Sequence, residues 1–287
     1  MAEREPSVRQ FTLDDALGVD TTGFMDLKDP DYAYMFGFLQ ADGHLSQQSR
    51  QRGRLTVEIN ARDIDILRKF QKLTPYNSTI SARTRTTNFA ENSHTAIWTL
   101  CSLEARSKLN ELGLPYGRKS RTIAPPHGKF SSRDYLRGVI DADGSVGYSQ
   151  SYPFISLTTA STPIMAYMCS YAEELTGAER RLQRNQRDGI YNIMYITEAA
   201  KSLVTHLYYP GCLALARKQT AAASVTAWKR PAGSKPRPPR IEWSQQMDRT
   251  LLAAPTIADA AAILGYSWSA CQVRRSKLLH GRVTLPD

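Results

Sequence analysis

Two carboxylates, Asp42 and Asp143, hold the same place in two copies of one short pattern. Tyr34-Met-Phe-Gly-Phe-Leu-Gln-Ala-Asp-Gly-His-Leu45 matches Tyr135-Leu-Arg-Gly-Val-Ile-Asp-Ala-Asp-Gly-Ser-Val146 at an offset of 101 residues. One Ala-Asp-Gly is an ordinary turn sequence; its repetition with the same upstream glycine and the same downstream elements is not. Each copy reads as a helix. Asp29-Pro30 supplies a cap followed by proline at the first helical position, and Ser131-Ser132 caps the second. Each helix stops at Ala-Asp-Gly, with Gly43 or Gly144 as the stop. Ala33, Gly37 and Ala41, spaced four apart, line one face with almost no bulk, and Gly138 and Ala142 do the same in the second copy. A glycine inside a helix costs roughly 1 kcal/mol relative to alanine. The cost makes sense where another backbone comes close, so the two helices are expected to pack on each other through Gly37 and Gly138. That packing brings Asp42 and Asp143 together at the negative ends of two helix dipoles. The carboxylates repel there, and divalent cations between them reverse the balance. Hard oxygen ligands with room for water and phosphate favour Mg2+. Carboxylates and metal beside a phosphodiester are the layout of metal-assisted phosphodiester hydrolysis.

The elements around the motifs repeat as well. Arg54–Ile59 and Phe154–Thr158 alternate as strands, and Asp63–Leu73 and Pro163–Leu175 read as helices. Further strands are expected at Thr79–Thr86 with Thr95–Leu100, and at Arg180–Asn185 with Tyr191–Ile196. Final helices are expected at Leu103–Leu112 and Glu198–Leu207. The fold class is α+β: two pseudo-symmetric αββαββα repeats, 31–125 and 126–222, followed by a small all-α module.

Charge separates these parts. The 287 residues carry a net charge of +10, which suggests an anionic partner. Residues 1–31 hold 3 basic and 8 acidic side chains, 32–216 hold 22 and 15, and 217–287 hold 12 and 4. An acidic N-terminal extension, 1–30, therefore precedes two basic modules. Residues 223–240, with Pro231, Pro236, Pro238 and Pro239, read as a basic linker. Beyond it, 241–287 reads as three helices. Trp243, Met247, Leu251 and Leu252 mark the first, Thr256 caps the second, Gly265 closes it, and Ser267 or Ser269 opens a third bearing Arg274, Arg275 and Lys277. That order resembles a Myb-like or resolvase-like helix-turn-helix. The four cysteines form no CxxC pair, which argues against a zinc finger or redox motif. The longest uncharged run, 144–172, is too polar to cross a bilayer. The chain is expected to be intracellular, cytoplasmic or nucleoid-associated, with no signal peptide and no membrane partner.

The paired motif resembles the signature of the LAGLIDADG homing endonucleases in their single-chain, two-repeat form, over about residues 31–222. The resemblance implies a saddle-shaped domain that binds double-stranded DNA, works as a monomer and cuts a long asymmetric site with Mg2+, or Mn2+ in its place. It assigns metal binding to Asp42 and Asp143 with help from the carbonyls of Ala41 and Ala142. The other acidic position of the family motif is Asp141 in the second copy and Gln40 in the first. A basic residue near the end of each repeat, Lys119 and Lys218, is implied to reach the scissile phosphate; these lie 77 and 75 residues after Asp42 and Asp143. DNA-reading residues are expected on strand faces, with Arg83 and Arg85 in the first half and Arg181, Gln183 and Asn185 in the second. The loops after the motifs add Gln47, Arg50, Arg52, Tyr148 and Gln150, and the C-terminal module adds Arg274, Arg275 and Lys277. Two other functions share this layout: a non-cleaving DNA-binding regulator of the WhiA-like type, and an intron RNA maturase.

Overall fold

The computed structural model describes residues 20–87, 90–233 and 241–284, with the backbone alone for 85–87 and 90–92. The chain divides into two compact units between Arg230 and Pro231. Among the described residues no helix is long and apolar enough to cross a membrane.

The first unit is built on helix α1 (Pro30–Asp42) and helix α4 (Ser132–Asp143), which pack along each other. The side chain of Asp29 accepts from the amides of Asp31 and Tyr32 and so starts α1. Ser131 precedes α4, but its hydroxyl donates to Asp134 (2.5 Å) instead of capping the backbone. Both helices are buried all round, Ala33–Gln40 in α1 and Asp134–Asp141 in α4, so they form the interior of the unit and not one of its faces.

Each central helix runs into an antiparallel sheet. The first has the order β1-β2-β4-β3, with β1 (His44–Leu45), β2 (Leu55–Asn60), β3 (Ser78–Thr87) and β4 (Ala90–Leu100). Val57 pairs with Trp98 and Ile80 with the same Trp98, so apolar residues share the face turned to the helices. The second sheet has three strands, β5 (Gly144–Ser149), β6 (Tyr152–Thr159) and β7 (Tyr191–Ile196). Helices α2 (Ile64–Leu73) and α3 (Leu103–Glu111) complete the first repeat; α5 (Thr162–Thr176), α6 (Thr197–Leu207) and α7 (Ala216–Ala227) complete the second.

The α+β class holds, with three departures from the sequence reading. Arg180–Asn185 is irregular and not a strand, so the second repeat lacks its fourth strand. Five of these six residues are polar, so there is no apolar alternation to bury. The segment is held instead by side chains: Arg184 donates to the Gly189 carbonyl (2.6 Å) and lies over the Tyr191 ring, and Arg180 lies over Tyr195. The acidic extension does not run to residue 30. Phe24, Met25 and Leu27 are buried in the main core, Phe24 meets Tyr32 and Tyr76 edge to face, and the Ser131 amide donates to the Leu27 carbonyl (2.7 Å). Three apolar residues in one turn are too few to show periodicity within an acidic run. The helix α7 continues to Ala227, five residues into the expected linker, because Val225 is buried and Trp228 donates to the Ser151 carbonyl (3.1 Å). Residues 1–19 and 234–240, parts of the expected extension and linker, lie outside the described residues.

The second unit is all helical: α8 (Gln245–Ala253), α9 (Ile257–Leu264) and α10 (Trp268–Leu279). Ser244, Thr256 and Ser267 cap them, and Gly265 ends α9 in a left-handed conformation. Leu251, Ala254, Ala260, Cys271 and Leu278 form its small core.

Candidate functional site

The site grows out of the contact between α1 and α4. A Cβ on Gly37 would lie 2.2 Å from the Tyr135 carbonyl oxygen, and one on Gly138 would lie 2.1 Å from that of Tyr34. Any side chain at either position would force the helices apart. The contact is pinned beside these glycines by two reciprocal hydrogen bonds. Tyr34 donates to Asp141 (2.7 Å) and Tyr135 donates to Gln40 (2.6 Å). Gln40 also donates to the carbonyls of Gly113 (2.8 Å) and Ala124 (3.0 Å), while Asp141 accepts from Tyr208 (2.6 Å) and the Leu215 amide (2.7 Å). Both residues are fully buried and their side chains are consumed by these bonds, so the earlier acidic position of the second motif is structural. The sequence held one signal of this: a tyrosine stands six residues before Gln40 and before Asp141.

With the helices locked, Asp42 and Asp143 sit at adjacent C-terminal ends, each followed by a glycine cap. Both carboxylates retain solvent contact yet are ringed by enough protein to be partly desolvated. Burial, and then repulsion from Asp143, push the Asp42 carboxyl up to about 6, against the pull of Lys119 and Lys218. Burial also raises Asp143, opposed by the same two lysines.

The lysines do not point freely into this space. Lys119 donates to the carbonyls of Gln40 (2.5 Å) and Ala41, and Lys218 donates to those of Ile140, Asp141 and Gly144, each at 2.7 Å. They therefore neutralise the carbonyl ends of α1 and α4, where cations suit the helix dipole. Lys218 is only 2 % exposed and uses all three of its N–H groups; Lys119 is half-buried and uses two. Burial lowers both ammonium groups, Lys218 to about 8.

These contacts bear on metal binding. Among the described residues no three His, Cys, Asp or Glu side chains converge. Two carboxylates are hard oxygen donors, and such a set would suit Mg2+ if water or phosphate oxygens completed it. The carbonyl of Ala41, expected from sequence to help hold metal, accepts from Lys119.

The structure places the expected DNA-contacting residues in different settings. Gln47, Arg50 and Arg52 are exposed on the loop between β1 and β2, Arg83 is exposed on β3, and Gln150 is exposed at a tight turn with φ of 56°. Arg85 lies in β3 with its side chain outside the described residues. Arg181, Gln183 and Asn185 are on the irregular segment and not on a strand; Arg181 pairs with Glu179 (2.8 Å), and the Asn185 amide closes a turn onto the Ile190 carbonyl (2.9 Å). Tyr148 belongs to strand β5 and not to a loop, and it donates to the Ser224 carbonyl (2.9 Å), tying the sheet to α7. In the second unit Arg274 is not free for a ligand: it binds Asp248 through Nε (2.8 Å) and Nη2 (2.5 Å) and lies over the Trp243 ring. Arg275 is partly exposed and Lys277 exposed on the same helix. One residue near the site escaped the sequence reading. Arg217 of the second repeat pairs with Asp63 of the first (3.0 Å), and both line a cavity that also includes Asp42 and Asp141.

Residues 131–207 match the model of the LAGLIDADG-like domain. No curated protein matches the chain. Among solved structures, the chain is similar to the meganuclease I-SmaMI bound to uncleavable DNA, at 11 % identity and a TM-score of 0.46 over 69 % of this chain and 87 % of that one. It is also similar to the LAGLIDADG meganuclease I-AabMI bound to uncleaved DNA, at 12 % identity and 0.43 over 69 % and 89 %. A third is the N-terminal LAGLIDADG domain of DUF199/WhiA, at 11 % identity and 0.41 over 79 % and 96 %.

Proposed function

We propose that this chain is a metal-dependent, site-specific DNA endonuclease of the LAGLIDADG type, acting as an intracellular monomer on double-stranded DNA. The observation that carries this reading is the meeting of Asp42 and Asp143 at two locked helix ends, each end held by its own lysine. Neither carboxylate has a structural hydrogen-bond role comparable to that of Gln40 or Asp141, and both are kept in solvent contact at an electrostatic cost. Asp42 and Asp143 would hold Mg2+, with Mn2+ as a substitute. The bound ion supplies a Lewis acid that lowers the pKa of water and offsets charge on the phosphate.

The chain's own groups then divide the remaining work. Lys119 keeps one N–H free and can donate it to a phosphate oxygen, while Lys218 clamps the end of α4. Gln47, Arg50, Arg52 and Arg83 read or anchor DNA on the first repeat. The two halves differ in these positions and in strand number, so the target is asymmetric. The second unit works as a helix-turn-helix anchor that adds affinity through the tether, with Arg275 and Lys277 as its phosphate contacts.

Incubating the protein with a randomised DNA library and Mg2+, then mapping double-strand breaks, tests the reading. A single preferred asymmetric site is expected, and Asp42→Asn or Asp143→Asn should abolish cutting while leaving binding intact. Binding without breaks by the wild type would overturn the nuclease reading. That outcome would support a non-cleaving DNA-binding regulator.

A further inference from the structure

The loop between β1 and β2 is tied down by a residue outside it. Arg106, on α3, is 1 % exposed, and among the described residues no carboxylate pairs with it. A buried guanidinium without a counter-charge is costly unless its N–H groups are used. Arg106 uses them on backbone carbonyls: Nε donates to Cys101 (3.3 Å), Nη1 to Ser46 (3.4 Å) and Gln48 (3.3 Å), and Nη2 to Arg50. Three of these four acceptors lie within one five-residue stretch of the loop.

Other features show that the loop is held in one shape. Arg50 has φ of 52°, the left-handed region that a non-glycine residue enters at a cost, and its carbonyl is one that Arg106 binds. Gly53 sits against the guanidinium, and a Cβ there would fall 2.1 Å from Arg106 Nη1. The Gln51 side chain accepts from the Leu103 amide at the start of α3 (3.1 Å). Ser46 and Arg54 close the loop base, with the Ser46 amide donating to the Arg54 carbonyl (2.8 Å). The side chains of Gln47, Gln48, Arg50 and Arg52 stay exposed. The second repeat replaces this loop with a tight turn at Gln150 and Ser151, so the device belongs to one half alone.

We propose that Arg106 is a positioning residue that sets the shape of the 46–53 loop, and that sequence discrimination over the part of the target this loop covers depends on it. The inference rests on the reading of the chain as a DNA-binding protein. A loop already held in its bound shape loses little freedom on binding, and bidentate contacts to base edges tolerate little misplacement.

The test uses the full chain and a target selected with wild-type protein, substituted one base pair at a time. For Arg106→Lys, discrimination should fall about tenfold at a cluster of positions in one half-site. Discrimination in the other half-site should not change. Hydrogen exchange should show faster exchange confined to the 46–53 amides. A profile identical to wild type, or a uniform loss across the whole target, overturns the inference. Should Arg106→Lys not fold, Gly53→Ala carries the same test, because its methyl displaces the guanidinium without removing it and also crowds the Ser46 carbonyl that Arg106 binds. A wild type that selects no sequence overturns the DNA reading and this inference together; a selective wild type with unaltered variants overturns the inference alone.

Discussion

The Tyr34 hydroxyl reaches across the helix contact to Asp141 (2.7 Å), and its repeat mate Tyr135 reaches back to Gln40 (2.6 Å). The two bonds are related by the offset of 101 residues that relates the motifs, yet one acceptor is an acid and the other an amide. A hydrogen bond to a charged group contributes about 1.5–3 kcal/mol and one between neutral groups about 0.5–1.5. Tyr34→Phe should therefore lower unfolding stability more than Tyr135→Phe does, by about 1 kcal/mol. Chemical denaturation of the two variants checks the order; equal losses would mean that Asp141 is held protonated.

The glycine contact sets a larger penalty. Gly37→Ala and Gly138→Ala each place a methyl about 2 Å from a backbone oxygen that cannot yield without moving a helix. Each should cost roughly 3 kcal/mol. Gly23→Ala, where a Cβ meets nothing within 4 Å, should leave stability unchanged and serves as the control.

The raised Asp42 carboxyl makes metal-free stability depend on pH. Its folded pKa, about 6, lies above its unfolded value of 3.8, so its contribution is fully present below about pH 4 and lost as pH rises through about 6. In chelator, wild-type Tm should fall over that window relative to Asp42→Asn, and Asp42→Asn should be the more stable protein at pH 7.5. Adding Mg2+ should raise the Tm of wild type at pH 7.5 and leave that of the Asp42→Asn, Asp143→Asn double variant unmoved.

The two lysines should separate by phenotype. Lys218→Met leaves three carbonyls without their donor in a buried place and should cost about 3 kcal/mol. Lys119→Met should cost less stability but abolish or sharply slow cutting, because Lys119 holds the one ammonium N–H left for substrate. Denaturation curves and single-turnover cleavage of both variants decide this; equal stability losses would contradict the difference in hydrogen bonding.

In the second unit, Arg274→Ala strands the buried carboxylate of Asp248 and should destabilise that unit by about 3 kcal/mol. Arg275→Ala should leave stability unchanged and weaken DNA binding, with a shallower dependence on salt. A binding loss for Arg274→Ala without any change in unfolding would return Arg274 to a DNA-contacting role.

Much of this site was legible because it is local. A repeated motif places Gly37, Gly138, Asp42 and Asp143 by spacing along two helices, and helical geometry then dictates which of them share a face. Residues whose role depends on a distant partner were not legible. The resemblance sends Lys119 and Lys218 to the scissile phosphate, yet the folded chain delivers them to carbonyls 74 to 79 residues away, where helix ends lack donors. Arg274 read as a ligand contact, but Asp248, 26 residues earlier, claims it. Phe24, Met25 and Leu27 read as part of an acidic tail, and Arg180–Asn185 as a strand, because burial and sheet pairing are settled by neighbours in space. Periodicity along a chain records which face an element offers; the long-range contacts of the fold settle what that face meets, and with it which charges are left free to act.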